Sequence, residues 1–213
     1  MVYNLLLEKF GHQNWWPADT PFEVVVGAIL TQQATWLSVE KAIKNLKTKV
    51  GLTPKALATA ELHILEECIK STGFYRQKAK RLSEISNYFY KNYGNDTSMS
   101  SFFDSRSLKT IRDELLSLDG IGPETADSIL LYAGNKLILP IDAYTLRLLN
   151  RLGYNLSRYK EAQNFLQSKL PNKIEVYKEF HALVVNLCKN NCKIKPSCST
   201  CPLKNICSWH RSK

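Results

Sequence analysis

Apolar residues recur at intervals of three and four along most of the chain, which is the period of an amphipathic helix. The segments are separated by short stretches rich in Gly, Pro, Asn and Asp, which interrupt helices. Alternation with a period of two, the mark of a strand, is confined to one weak stretch, KLILPI. The pattern predicts an all-α protein with helices in YNLLLEKF, PFEVVVGAILTQ, LSVEKAIKNL, LHILEECIK, QKAKRLSEISNYFYKNY, SLKTIRDELLSL and KEFHALVVNLC.

The charge balance favours a polyanionic partner. The 213 residues carry a formal net charge of +10, and no acidic residue follows Glu179, whereas lysine and arginine continue to the end. A segment of one sign binds phosphates, because each neutralised phosphate releases condensed counterions. A lysine-rich surface that only maintains solubility has the same composition, so charge alone leaves both interpretations open.

Two features bear on location. The longest apolar run, around FEVVVGAIL, is too short to cross a bilayer. The first residues lack the basic leader and the small-residue cleavage site of a secretory signal. We therefore expect no membrane partner and a cytoplasmic, nucleoid-associated protein.

Five of the six cysteines fall within residues 188–207. Reduced thiols so close together indicate a metal centre rather than disulfides in a cytoplasmic chain. Zinc sites usually have two C-x2-C pairs and this run has one, whereas a 4Fe–4S cluster tolerates longer arms, so spacing alone leaves both open. Cys188 is an alternative first ligand or a small buried side chain, and Cys68 is expected in the core. The expected ligands, spaced C-x5-C-x2-C-x5-C, are Cys192, Cys198, Cys201 and Cys207.

The stretch SLDGIGPETADSIL predicts a tight turn between two helices. Gly120 and Gly122 permit backbone conformations that other residues avoid, and Leu118 and Ile121 can anchor the turn in the core. Pro123 suits the first position of the next helix, whose N–H groups offer a site for a phosphate. This is the helix-hairpin-helix pattern, which grips a DNA backbone without reading its sequence. An ordinary helical hairpin with a glycine turn is the alternative.

In their order along the chain, these segments resemble the endonuclease III superfamily of DNA glycosylases over nearly the whole sequence. ILTQQATWLSVEKAI is similar to an early helix and loop of that family, STGFYRQKAKRL to a second DNA-contacting loop, and LDGIGPETADSILLYA to its hairpin. PIDAYTLRLLNRLG is similar to the segment of the catalytic aspartate, and the cysteine run to a 4Fe–4S loop. The family's first gap between cysteines is usually one residue longer than the gap found here.

The resemblance implies a two-lobed fold with a cofactor. Residues 22–137 would form a six-helix domain with the hairpin, and residues 1–21 and 138–213 a cluster domain with the catalytic aspartate and the 4Fe–4S loop. A cleft between the two would receive a nucleotide flipped out of the double helix. The implied partner is double-stranded DNA with damaged or mispaired bases, bound by a monomer.

The position that follows the hairpin decides which reaction the resemblance implies. Family members that also cut the strand carry a lysine there, and this chain carries Glu124. A carboxylate cannot form a Schiff base, so the chain resembles a monofunctional glycosylase that leaves the abasic site intact. Asp142 matches the family's catalytic aspartate, which stabilises the cationic sugar and orients water. Both residues also have structural interpretations, Asp142 as a helix N-cap and Glu124 as a partner of the helix dipole.

The resemblance also implies contacts to DNA. Gln33 would fill the gap left by the flipped base, and Phe74 would wedge into the opposite strand. Trp36 and Tyr144 are candidates for stacking on the substrate base, with a core position as the alternative for Phe74 and Trp36. The other candidate DNA contacts are Gln32, Arg76, Lys78, Leu118, Gly120, Ile121, Gly122 and Thr125.

The hairpin LDGIG with ETADSILLYA is closest to the branch that removes 3-methyladenine and related alkylated purines. Such bases carry a positive charge and leave readily, so little acid catalysis is needed. The adenine-mismatch branch carries a glutamate where VVVGAILTQQ is apolar, and the oxidised-pyrimidine branch uses the missing lysine. Removal of uracil or thymine from mispairs, and non-catalytic binding of damaged DNA, are the alternatives.

Overall fold

The computed structural model describes residues 1–212, and every regular element among them is helical, which confirms the all-α prediction. The chain divides into two units, Ala18–Lys136 and Met1–Pro17 with the segment from Leu137 onward. The boundaries implied by the family resemblance lie a few residues later, after residues 21 and 137. No helix in the described part of the chain is both long and apolar enough to span a bilayer.

The unit Ala18–Lys136 is a stack of helices around one apolar core. Four of its eight helices start at a threonine or serine N-cap, and three begin with proline, which is already set to a helical φ. A single 3-10 turn, Lys70–Thr72, follows the helix Leu62–Ile69. The helices are α2 Pro21–Leu30, α3 Trp36–Lys49, α4 Pro54–Thr59, α5 Leu62–Ile69, α6 Tyr75–Tyr93, α7 Ser100–Phe103, α8 Leu108–Leu116 and α9 Pro123–Tyr132.

Helix α2 forms the centre of this unit. Its sequence, PFEVVVGAIL, is apolar on all sides except at Glu23, and every residue after Pro21 is buried. A helix without a polar face must be surrounded, and α2 packs against α3, α6 and α9. The carboxylate of Glu23 is paired with Lys47 at 2.8 Å. The C-terminus of α2 therefore projects the Gln32–Gln33 loop from a fixed position.

An ion pair joins the two helices of the hairpin. Arg112 of α8 donates from Nε to Oδ1 of Asp127 at 2.6 Å, and its Nη2 lies 3.4 Å from Oδ2. Asp127 is fully buried in α9. Because a buried carboxylate without a partner is costly, this pair sets how α8 and α9 meet and so fixes the turn between them.

The second unit is built on α12 (Ile174–Asn190), which packs against α1 (Val2–Phe10) and α10 (Ala143–Arg151). Its buried residues, among them Tyr177, Leu183, Val184 and Leu187, form a core with Leu6 of α1. The helices are α1 Val2–Phe10, α10 Ala143–Arg151, α11 Tyr159–Lys169, α12 Ile174–Asn190 and α13 Ser208–Arg211.

The stretch KLILPI, whose alternation weakly indicated a strand, forms no helix or strand in the described residues 1–212. Side chains of α11 satisfy its backbone instead. Gln167 accepts from the N–H of Leu139 at 2.9 Å, and Gln163 donates to the Leu139 carbonyl at 2.8 Å. The hydroxyl of Tyr159 accepts from the N–H of Ile141 at 3.2 Å. These bonds hold the chain immediately before Asp142.

Candidate functional site

The hairpin turn presents backbone at the surface while its apolar residue is anchored inside. Ile121 is 5% exposed, and its N–H donates to the Leu118 carbonyl at 3.1 Å. Gly120 has φ +81, a backbone conformation that favours glycine, and a Cβ there would lie 2.4 Å from Cδ of Arg81, whose side chain would have to shift. Gly122 is exposed and its Cβ position is open. The first turn of α9 follows, with the N–H groups that suit a phosphate.

Gln32 links this turn to the loop after α2. Its Nε2 donates to the carbonyl of Gly120 at 2.9 Å and lies 3.1 Å from the hydroxyl of Thr125. Gln32 and Thr125, both expected to contact DNA, thus contact each other. The neighbouring Gln33 is exposed and has a left-handed backbone with φ 52. The bonds of Gln32 therefore hold Gln33 in a fixed place beside the hairpin.

The Gly-Phe-Tyr loop before α6 also exposes a strained residue. Phe74 is 65% exposed and left-handed, with φ 46. A large apolar side chain in such a conformation is unfavourable for folding alone and is typical of a binding position. Arg76 is exposed, with Glu66 4.0 Å from its Nε. Phe74 and Arg76 are therefore both exposed at the start of α6, and the wedge role of Phe74 stays a prediction.

Lys78 differs from its expected role. Its side chain is 2% exposed, and Nζ donates to the carbonyls of Leu30 at 2.9 Å and Thr72 at 2.8 Å. Burial lowers the pKa of Lys78 to about 8. The expectation of a direct DNA contact is corrected here, because the ammonium faces inward. Lys78 instead ties the end of α2 to the Phe74 loop.

Asp142 is the N-cap of α10 and is 7% exposed. The N–H of Thr145 donates to its Oδ1 at 2.6 Å, and Nε2 of His181 lies 3.7 Å from its Oδ2. Burial by itself raises the pKa of Asp142, but the interactions with His181 and Thr145 outweigh it and leave the pKa below its ordinary value. The carboxylate is therefore ionised, although it is buried.

His181 is a residue that sequence reasoning missed. It lies within the apolar run FHALVV, where a histidine has no local mark of function. Its one distinguishing feature is that His181 is a polar residue on a face of α12 whose other residues are buried.

The other candidates have the following positions. Glu124 is exposed in the first turn of α9, where a carboxylate complements the helix dipole. Trp36 is the half-buried first residue of α3. Tyr144 is half-buried in the first turn of α10, with the guanidinium of Arg147 5.1 Å from its ring centroid.

The four expected ligand cysteines line one small cavity, together with Arg151 and Trp209. Arg151 donates to Sγ of Cys192 at 3.2 Å and to the carbonyl of Lys193 at 2.7 Å. The neighbouring Cys188 thiol lowers the pKa of Cys192; burial opposes this shift and Arg151 adds to it. Cys188 lies outside that lining, and its thiol donates to the Tyr144 carbonyl at 3.6 Å.

The four thiols have the donor chemistry that a 4Fe–4S cluster or a zinc ion takes. Within residues 1–212, no three His, Cys, Asp or Glu side chains are close enough together to form a metal-binding group. The four thiols surround a common cavity instead. A 4Fe–4S cluster takes four thiolates spread around it.

Comparison with known proteins agrees with this geometry. Residues 26–172 match the HhH-GPD family, described as a superfamily of base excision DNA repair proteins. A candidate DNA repair glycosylase of Methanocaldococcus jannaschii is 45% identical over 97% of this chain and 94% of its own length. The endonuclease III of Thermotoga maritima is 33% identical over 91% of this chain and 85% of its own length.

Solved structures share the fold over most of the chain. A non-covalent endonuclease III–DNA complex superposes with a TM-score of 0.83 at 25% identity, covering 99% of this chain and 94% of that one. The H. pylori 3-methyladenine DNA glycosylase bound to 1,N6-ethenoadenine has a TM-score of 0.72 at 31% identity, covering 86% and 91%.

Proposed function

Because the chain belongs to the HhH-GPD superfamily of base excision DNA repair proteins, we propose that it is a monofunctional glycosylase for alkylated purines such as 3-methyladenine. The observation that carries the proposal is the buried carboxylate of Asp142 at the start of α10. One oxygen is held by the start of α10, and the other faces His181.

The proposed reaction is hydrolysis of the bond between base and sugar. As this bond breaks, positive charge develops on the sugar, and a fixed negative charge lowers the energy of that state. Asp142 supplies the charge, and Oδ2 orients a water or takes its proton as it attacks. Since Oδ1 already accepts from the Thr145 N–H, the carboxylate needs no reorganisation during the reaction.

The absence of strand cleavage rests on Glu124. The family resemblance implies a lysine at this position in members that also cut the strand, because an amine there would attack the sugar and form a Schiff base. A carboxylate offers no such nucleophile. Glu124 instead complements the N-terminus of α9, where it lies exposed.

The proposed substrate class follows from the chemistry of the leaving group. An alkylated purine that carries a positive charge leaves as a neutral base, so Asp142 suffices without a strong acid. Trp36 and Tyr144 are the proposed aromatic contacts, because a cationic base is attracted to the face of an aromatic ring. The likeness to an H. pylori 3-methyladenine glycosylase supports this class.

The proposal includes DNA contacts and a cofactor. The hairpin turn holds the backbone, with Gln33 and Phe74 at the site of the flipped nucleotide, and the protein acts as a monomer on DNA in the cytoplasm. When bound, a 4Fe–4S cluster would cross-link the loop through its iron–sulfur bonds. Arg147 and Arg151 of α10 already bind this loop at the carbonyls of Cys192 and Lys193. The proposed cluster ligands are Cys192, Cys198, Cys201 and Cys207.

The test is base release from defined duplexes. Wild-type protein is incubated with DNA treated with a methylating agent, and free bases are separated by chromatography. We expect 3-methyladenine to appear, abasic sites to be cut only after alkali, and borohydride to trap no covalent complex. Release from uracil or thymine mispairs alone would replace the substrate class. A gel shift without release from any duplex would show a binding protein and overturn the proposal.

A further inference from the structure

His181 is a buried titratable side chain to which the proposed mechanism gives no role. It is 8% exposed on α12, and its Nε2 lies 3.7 Å from Oδ2 of Asp142. That distance is slightly longer than an ordinary hydrogen bond, so a small movement of either side chain brings Nε2 within hydrogen-bonding distance of Oδ2. Asp142 itself is 7% exposed, which places both groups away from solvent.

The two oxygens of Asp142 have different partners. Oδ1 is bonded to the Thr145 N–H at 2.6 Å, which caps α10 and fixes the carboxylate at one end. The group that faces Oδ2 is His181. The imidazole therefore limits where Oδ2 can point.

The rest of the helix face supports a fixed geometry. Cys188 lies two helical turns after His181 on α12, and its thiol donates to the Tyr144 carbonyl in the first turn of α10. The two residues hold α12 against the same end of α10. On another side of α12, Glu179 faces His12 and the N–H of Gln13, so its charge is engaged away from Asp142.

We infer that His181 is a positioning residue for base excision, which orients Oδ2 of Asp142 and supports its buried charge. An N–H group at Nε2 stabilises the negative charge of Asp142 at the oxygen that it faces. A leucine-like side chain at this place would leave Oδ2 without a donor, and a buried carboxylate without donors is disfavoured in its ionised form. The inference deepens the proposed glycosylase function and rests on it.

The test compares two side chains of nearly equal shape. His181→Met removes the donor, whereas His181→Gln keeps an amide N–H of similar reach. In single-turnover base release from methylated duplex, we expect His181→Met to be slower by about 10- to 100-fold, because misplaced catalytic groups cost that much. His181→Gln should recover most of this loss. The Kd for the same duplex should stay within about threefold in both, since only the chemical step is affected.

Controls separate positioning from general damage to α12. Leu183→Met changes a buried residue of the same helix and should keep the wild-type rate. In an Asp142→Asn background, His181→Met should cause little further loss, because both changes act through one carboxylate. A wild-type rate in His181→Met, or a full additional loss in the double variant, would overturn the inference. So would equal losses in the Met and Gln variants.

A readout without substrate distinguishes this inference from the proposed function. Urea unfolding of Asp142→Asn, His181→Met and the double variant forms a cycle, in which an interacting pair gives non-additive midpoints. Non-additive midpoints without base release from any duplex would support the interaction between Asp142 and His181 but reject the glycosylase proposal. Additive midpoints would reject the pair even if wild-type protein releases base.

Discussion

Lys78 of α6 donates a hydrogen bond across 2.9 Å to the carbonyl oxygen of Leu30, the last residue of α2. A second bond, to the Thr72 carbonyl at 2.8 Å, reaches the turn before Phe74. The buried ammonium of Lys78 thus holds two loops together. The sequence GFYRQK had instead suggested that Lys78 is exposed and contacts DNA. Because burial lowers the pKa of Lys78, the effect of this burial on stability can be measured through its pH dependence.

The stability of the protein should rise with pH because of Lys78. Burial lowers the pKa of Lys78 to about 8 in the folded protein, whereas an unfolded lysine has a pKa of about 10.4. Between these values the unfolded state binds more protons, so the free energy of unfolding increases with pH, by about 1–3 kcal/mol. Urea unfolding at pH 7.5 and pH 10 measures the increase.

Lys78→Met should remove that pH-dependent difference and lower stability at both pH values, since two buried carbonyls lose their donor. Lys80→Met is the control, because Lys80 is exposed on the same helix. An unchanged pH dependence in Lys78→Met would show that another group is responsible.

The ion pair of the hairpin should contribute strongly to stability. Asp127→Asn leaves the Arg112 guanidinium without its carboxylate, and breaking a buried pair from one side costs about 3–5 kcal/mol. The control is Asp113→Asn on α8, whose pair with Lys109 is exposed and should matter little. The free energies of unfolding of both variants are compared in urea. Similar small losses would mean that the buried pair does not organise the hairpin.

The two hairpin glycines should separate folding from DNA binding. Gly120→Ala places a Cβ against Arg81 at a positive φ, so it should destabilise the protein and weaken binding to every duplex. Gly122→Ala meets no atom within 4 Å, so stability should be unchanged. Its methyl group would nevertheless obstruct the approach of a phosphate to the turn. Melting temperature and duplex Kd at several salt concentrations measure the two effects, and normal binding by Gly122→Ala would contradict backbone contact at this turn.

Sequence alone predicted the long periodic helices and the hairpin, because their signals are local. It missed α11, in which YKEAQNFLQSK has only a narrow apolar face. It also missed His181 and misplaced Lys78, since the partner of each side chain lies far along the chain. A basic residue beside a loop suggests an exposed charge, and only the packing of α2 against α6 reveals that Lys78 faces inward.

The cysteine loop should hold iron. Anaerobically purified protein should be brown, with about four irons per chain, as a 4Fe–4S centre requires. Cys198→Ser and Cys201→Ser should lose the colour and the iron. Cys188→Ser should keep both, because this thiol lies outside the cavity lined by the other four. Colourless wild-type protein with one zinc would contradict the cluster, and iron loss in Cys188→Ser would show that the first ligand is Cys188.

Asp142→Asn is the sharpest test of the proposed catalytic role of Asp142. Asparagine is as good an N-cap as aspartate, and its amide oxygen can still accept from the Thr145 N–H, so α10 should begin as before. Only the charge is removed. Base release should fall by about 100- to 1000-fold, since charge aimed at the transition state is a large catalytic term.

Affinity for damaged duplex should stay the same or rise in Asp142→Asn, because a negative charge near phosphates is gone. Glu124→Gln is the matched control, since it removes a carboxylate that is exposed at a helix start. Its effect should be confined to about 0.3–1 kcal/mol of stability, with base release near wild type. Single-turnover release and duplex Kd of both variants, with melting temperatures, complete the comparison. Full base release by a folded Asp142→Asn would remove Asp142 from the mechanism, and a large loss in Glu124→Gln would assign catalysis to α9 as well.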